Sequence, residues 1–179
     1  MGRAMDDVII AAATGTAYTG ETGATTESAQ TAIAASIGST TGLNIPKIAK
    51  AKQLLDVADV DPSIARHIIV SPEQINNLLN VTEVTSADFN TVKALVHGEI
   101  DTFLGFKFTV SNRLAKSGND RTIIAYAEDG IALAVGKDIS ARIDERADKS
   151  YATQVYYCQT IGATRMEQAK VVPITCTEA

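Results

Sequence analysis

Thr82–Leu114, reading TEVTSADFNTVKALVHGEIDTFLGFKFTVSNRL, carries a helix signal through a glycine stop into an alternating strand. Thr85 or Ser86 can cap the helix, since a hydroxyl at that position accepts a bond from an orphan first-turn amide and Asp88 adds negative charge at the positive end of the dipole. Phe89, Val92, Leu95 and Val96 recur at helical spacing and form its apolar face. Gly98 follows His97 where a left-handed residue closes a helix. Phe106, Phe108 and Val110 then alternate with Lys107, Thr109 and Ser111, as in a half-buried strand. No residue of this stretch has catalytic spacing.

Working upstream, Arg66–Val70 reads as a short buried strand. It is followed by Ser71, Pro72, Glu73 and Gln74, a capping box with proline at the first helical position, and Ile75, Leu78 and Leu79 form that helix's inner side. Before it, Asn44 or Thr41 caps a helix carrying Pro46 in its first turn, with Ile45, Ile48, Leu55 and Ala58 on one side. Lys47, Lys50 and Lys52 make this helix basic; three lysines without aromatic neighbours read as a solvated face, the alternative being a DNA-facing patch. Thr14–Gly42 is rich in Thr, Gly, Ala and Ser and reads as a surface loop with at most one short element near Ala29–Ile37. Arg3–Ala13 places Met5, Val8, Ile9, Ala12 and Ala13 on one face and is expected to be the last turns of a helix.

Downstream, Arg121–Ala127 is a strand, and Glu128–Val135 is a short helix or a second strand, which periodicity alone does not separate. Ile139, Ala141 and Ile143 alternate with Arg142, Asp144, Arg146 and Asp148, four charges of alternating sign along one face. Such a row can pair across subunits and fix their register; it is equally the pattern of an ordinary solvated face. Tyr151–Thr160 is rich in β-formers, and Lys170–Cys176 ends in a strand whose Pro173 belongs at a sheet edge. Both strands are expected to share one sheet with Ile139–Asp144. The chain therefore reads as α+β, with a helix-rich middle from about Leu43 to Gly136.

A chain of 179 residues is one domain or two small ones, long enough to bury roughly 70% of its unfolded surface without a covalent staple. Sixteen basic against 21 acidic residues leave a net charge of −5, which argues against a protein built to neutralise phosphates. Cys158 and Cys176 have no metal-ligand spacing, and both are expected to be free thiols. No apolar run approaches a membrane span and no signal peptide opens the chain, so it is read as soluble. Gly15, Gly20, Glu21 and Thr22 have the spacing of a phosphate-binding loop, but Glu21 stands where a lysine must meet the phosphates. Ser71 lacks the glycines of a nucleophile elbow. His67 and His97 suit core packing and a helix C-terminus, and Asp56, Asp59 and Asp61 lack the glycine and glutamate of a calcium loop. These readings leave no catalytic residue, no metal site and no cofactor.

The runs VTEVTSADFNTVKALVHGEIDTFLGFKF, RAMDDVIIAAATGTAYTGETG and GKDISARIDERADKSYATQVYYCQTIGATRMEQAKVV together resemble the major capsid proteins of tailed bacteriophages that share the HK97-type fold. The resemblance implies a shell subunit that is not an enzyme: residues 1–42 as the end of a spine helix and a loop of the peripheral domain, 43–136 as the axial domain, and 137–179 as peripheral-domain strands. The N-terminal arm, extended loop and most of the spine helix of that family have no counterpart in this sequence. The implied partners are further copies of the chain, forming hexamers and pentamers around the genome, with scaffold or portal proteins and packaged DNA bound without sequence specificity. The implied location is the virion, and the host bacterial cytoplasm during assembly. Two alternatives remain: an encapsulin-like nanocompartment shell, and a nucleotide-binding enzyme using the Gly15–Thr22 loop. Arg142, Asp144, Arg146 and Asp148 are the candidate subunit-interface residues.

Overall fold

The computed structural model describes residues 2–38, 40–80 and 102–178. The helix expected between Thr85 and Gly98, with Phe89, Val92, Leu95, Val96 and His97, lies outside the described residues, as does the side chain of Leu79.

Helix α1 spans Gly2–Thr14, α2 Ile45–Val57 and α3 Pro72–Leu79. Asn44 is the cap of α2, its side-chain oxygen accepting from Lys47 N at 3.0 Å, with Pro46 in the first turn where its missing amide costs nothing. The inner face of α2 is Lys47, Ile48, Ala51 and Leu55, so one of the three lysines expected on a solvated face is fully buried. Its reason is the helical period itself, since Lys47, Ala51 and Leu55 are four residues apart. Ser71 caps α3, its Oγ accepting from Gln74 N at 3.3 Å. The reciprocal half of the capping box is absent: the Gln74 amide turns to Leu43 N and to the carboxylate of Glu178, two buried groups without other means of satisfaction.

The main sheet has the order β10-β7-β3-β5-β4, where β3 is Arg66–Val70, β4 Thr102–Phe103, β5 Phe106–Val110, β7 Asp120–Ala127 and β10 Val171–Thr177; β6, Lys116–Ser117, pairs with the start of β7. Strands β3 and β5 run parallel and the other pairs antiparallel. Ile68, Val70, Phe106, Ile123, Ala125, Val172 and Ile174 form one buried cluster with Ile48, Ala51 and Leu55 of α2. Val110 departs from its expected burial because β4 pairs only with Phe106 and Lys107, leaving the far end of β5 exposed. Pro173 sits on the edge strand, as its missing donor requires, and its carbonyl accepts from Ile33 N at 2.9 Å.

The expected Thr14–Gly42 loop contains a small hairpin, β1 (Ala17–Thr19) and β2 (Thr25–Glu27), and only an isolated bridge at Ile33 where one short element was expected. Three-residue strands are too short for alternation to register, and the turn depends on Gly20 and Gly23 at positive φ. Gly15 ends the turn after α1 and Gly20 belongs to this hairpin, so the Gly15–Thr22 run is not the strand, loop and helix that a phosphate loop needs.

From β7 the chain makes one 3-10 turn, Glu128–Gly130, and enters β8, Ile131–Arg146; β9, Ala152–Arg165, returns antiparallel to it. The ambiguous Glu128–Val135 is thus a turn followed by a strand. Strand β9 shares a sheet with Ile139–Asp144 as expected, but β10 does not: it pairs along its length with β7. The excursion leaves and rejoins the main sheet at neighbouring points, where Met166 N donates to Gly130 O at 3.0 Å and Lys170 Nζ reaches Asp129 at 2.7 Å and Glu167 at 3.1 Å. A Cβ on Gly130 would lie 3.0 Å from Lys170 Cβ and 3.1 Å from its carbonyl oxygen, which explains glycine there.

Candidate functional site

The proximal part of the β8–β9 ribbon is held by α1. Arg165, buried at the end of β9, donates to Ala13 O at 3.1 Å, Gly15 O at 2.9 Å and Glu27 O at 2.9 Å. It satisfies carbonyls left open at the C-terminus of α1, where positive charge is favoured, and ties the β1–β2 hairpin to the same point. An exposed Arg113–Asp7 ion pair joins α1 to the loop after β5; the guanidinium's hydrogen bond holds the Asp7 carboxyl below its ordinary range.

Beyond the α1 contact the ribbon projects, and its register shifts between Val135 and Lys137 and again between Lys137 and Ser140. From Ser140 outward the pairing is regular: Ser140 opposite Cys158, Arg142 opposite Tyr156 and Asp144 opposite Gln154 on one face, Ala141 opposite Tyr157 and Ile143 opposite Val155 on the other. The first face is polar and the second apolar. Both are open: Ile143 is 70% exposed, Tyr157 59% and Val155 54%.

Arg142, Asp144 and Arg146 lie together on the polar face of β8, where the sequence put them. Asp148 does not extend that row. It falls in the turn Ala147–Lys149, and both its carboxylate oxygens accept from Arg146, at 2.9 Å for the Nε contact; this hydrogen bond holds the Asp148 carboxyl low. Arg142 and Asp144 have no ion-pair partner among the described residues. The turn closes with Ser150 and Tyr151 at φ 52° and 58°, a left-handed pair uncommon without glycine.

Sequence reasoning missed what shares these faces. Cys158 lies with its sulfur 2.9 Å from Ser140 Oγ, and hydrogen bonds from Ser140 and then Lys137 hold its thiol below the ordinary range. The apolar partners Val155 and Tyr157 were legible as β-formers, but their face depended on a register that two irregularities interrupt.

The body carrying the ribbon has a buried polar network of its own. Glu178, 1% exposed, accepts from Ser71 Oγ at 2.5 Å, Gln74 Nε2 at 3.3 Å and Arg121 Nε at 2.7 Å, with Lys116 Nζ at 3.4 Å. Burial pushes this carboxyl up, but the hydrogen bonds from Ser71, Arg121 and Gln74 outweigh it and bring the group down to about 2. Lys47 Nζ donates to Thr41 O at 2.7 Å and Gly42 O at 2.6 Å, with Cys176 Sγ at 3.9 Å. Burial lowers the Lys47 ammonium and raises the Cys176 thiol to about 11. Ser71 is thus a cap and a carboxylate donor. Among the described residues no group of three or more His, Cys, Asp or Glu side chains is arranged to hold a metal, and no helix is long and apolar enough to cross a membrane.

Residues 1–178 match the family model described as phage capsid protein. The chain belongs to the phage capsid protein family. No curated protein matches it. Among solved structures this capsid-family chain is similar to the Cyanophage Pam1 capsid asymmetric unit, with TM-score 0.68 and 14% identity over 99% of this chain and 66% of that one. The capsid of Ralstonia phage GP4 gives TM-score 0.67 and 12% identity over 99% and 64%. A structure of Mycobacterium phage Che8 gives 0.63 and 21% over 97% and 59%. The fold is therefore the HK97-like fold, and the chain spans about three fifths of the length of the first of these relatives, 59%.

Proposed function

We propose that this chain is a structural subunit of a tailed-phage head, associating with copies of itself into hexamers and pentamers around the genome, and that it carries out no catalysis. The supporting observation is the distal ribbon. A two-stranded hairpin is marginal in water, yet here one extends beyond the body with an apolar face of Ile139, Ala141, Ile143, Val155 and Tyr157 and an opposite face bearing Arg142 and Asp144, both open. A strand pair of this composition gains stability when another surface covers it. Many modest contacts of this kind suffice for a closed shell, because each subunit makes several at once.

Within this reading, residues 43–136 form the axial domain and residues 1–42 and 137–179 the peripheral one, with β10 returning from the second to complete the sheet of the first. Scaffold or portal proteins and packaged DNA, bound without sequence specificity, are the further partners, and assembly takes place in the host cytoplasm before the subunit resides in the virion. Light scattering behind a sizing column, over a range of protein and salt concentrations, tests the self-association. Pentamers, hexamers or closed particles are expected; a strict monomer under every condition would remove self-assembly from this chain's own properties.

A further inference from the structure

We propose that β8 pairs with β8 of a second copy, antiparallel about a two-fold axis at Ile143, joining two ribbons into one four-stranded sheet. The proposal rests on the self-association above and specifies its geometry. Among the described residues the outer edge of β8 has no strand partner, and an unpaired edge is a template for another strand. A two-fold axis normal to the sheet makes an isologous contact, in which each residue meets its counterpart's partner. It keeps polar face with polar face only if the axis passes through a residue, because side chains alternate between faces.

The charges select which residue. With the axis at Ile143, Arg142 stands opposite Asp144 of the second copy, and the same pair recurs by symmetry. Ser140 then stands opposite Arg146, Ala141 opposite Glu145 and Ile139 opposite Ala147, so no like charges meet from Ile139 to Ala147. An axis at Arg142 or at Asp144 sets that residue against itself, an axis at Ala141 sets Asp138 against Asp144, and an axis at Glu145 opposes two glutamates. Like charges directly opposite one another destabilise a strand pair. The internal Arg146–Asp148 pair supports the same choice, since it occupies Arg146 and leaves Arg142 and Asp144 as the ions still seeking partners. In this register Ile143 meets Ile143, and the two apolar faces become one continuous surface.

Two measurements on the full 179-residue chain test it. In a Cys158→Ser background, Ile143→Cys should give a disulfide dimer under copper-phenanthroline and air, whereas Ala141→Cys and Glu145→Cys should cross-link to each other when mixed and not each to itself. Arg142→Asp or Asp144→Arg alone should weaken association by about tenfold or more, since two attractive pairs become repulsive, and the double exchange should restore it. Association that ignores the charge exchanges, with no cross-link from Ile143→Cys, overturns the pairing while leaving self-association intact. A monomer in light scattering that still cross-links at Ile143→Cys supports the pairing as a weak encounter and counts against assembly by this chain alone. A monomer that does not cross-link overturns both.

Discussion

Glu178 is held by four side chains from three elements, and its carboxylate is stable in the fold because it is charged there. Its folded value of about 2 lies below the ordinary 4.5, so the unfolded chain binds more protons between those limits. The stability it contributes is full above about pH 4.5 and is lost as the pH falls toward 2. Glu178→Gln should therefore lower stability at neutral pH by about 3 kcal/mol, with the gap to the parent closing across that window in urea titrations. The thiols make a separate test: half-buried Cys158 should react with an aromatic disulfide in the native chain, and buried Cys176, held at about 11, only after unfolding. At this scale the sequence was legible where one residue does one local job. Asn44, Pro46 and Ser71 cap as read, and Pro173 lies at an edge. It was misleading where a side chain serves a distant partner. Gln74 left its capping role for Leu43 and Glu178, more than thirty and a hundred residues away in the chain, and nothing local announces such a partner. Lys47 is different, because its place in line with Ala51 and Leu55 did mark it as inward-facing, and counting lysines hid that.

Among elements, α1 depends on the ribbon it packs against, and Arg165 is the joint. Arg165→Ala leaves three carbonyls without their donor, and we expect a loss of about 3 kcal/mol. Hydrogen exchange should localise it, with faster exchange in α1 and in the β1–β2 hairpin while β3, β7 and β10 keep their protection. Equal loss across the main sheet would show instead that the body unfolds as one unit. The elements α2, β3, α3, β5 and β7 were readable because each combines a period with a punctuating residue. Strands β1 and β2 were not, being three residues each. Strand β10 was recognised as a strand and given the wrong sheet, since pairing choice is a tertiary property that propensity does not encode.

At the scale of the molecule, the apolar half of the candidate interface can be separated from folding. Ile143→Lys or Val155→Lys replaces an exposed apolar group, so melting temperature should stay within about 2 °C of the parent while the associated fraction falls. A large drop in melting temperature would show that these side chains support the monomer itself. The alternating charges were visible in the sequence, but the division of the ribbon into a polar and an apolar face emerged only once the register of β8 against β9 was known. Strands β7 and β10 are antiparallel neighbours, and the chain leaves one at Glu128 and rejoins the other after Lys170. The whole ribbon thus occupies the place where a tight turn would have sufficed. What an adjacent copy meets and what closes the main sheet are therefore written in separate runs of residues, so drift, or a designer, can rewrite the distal ribbon's lettering while the body's own text stays unchanged.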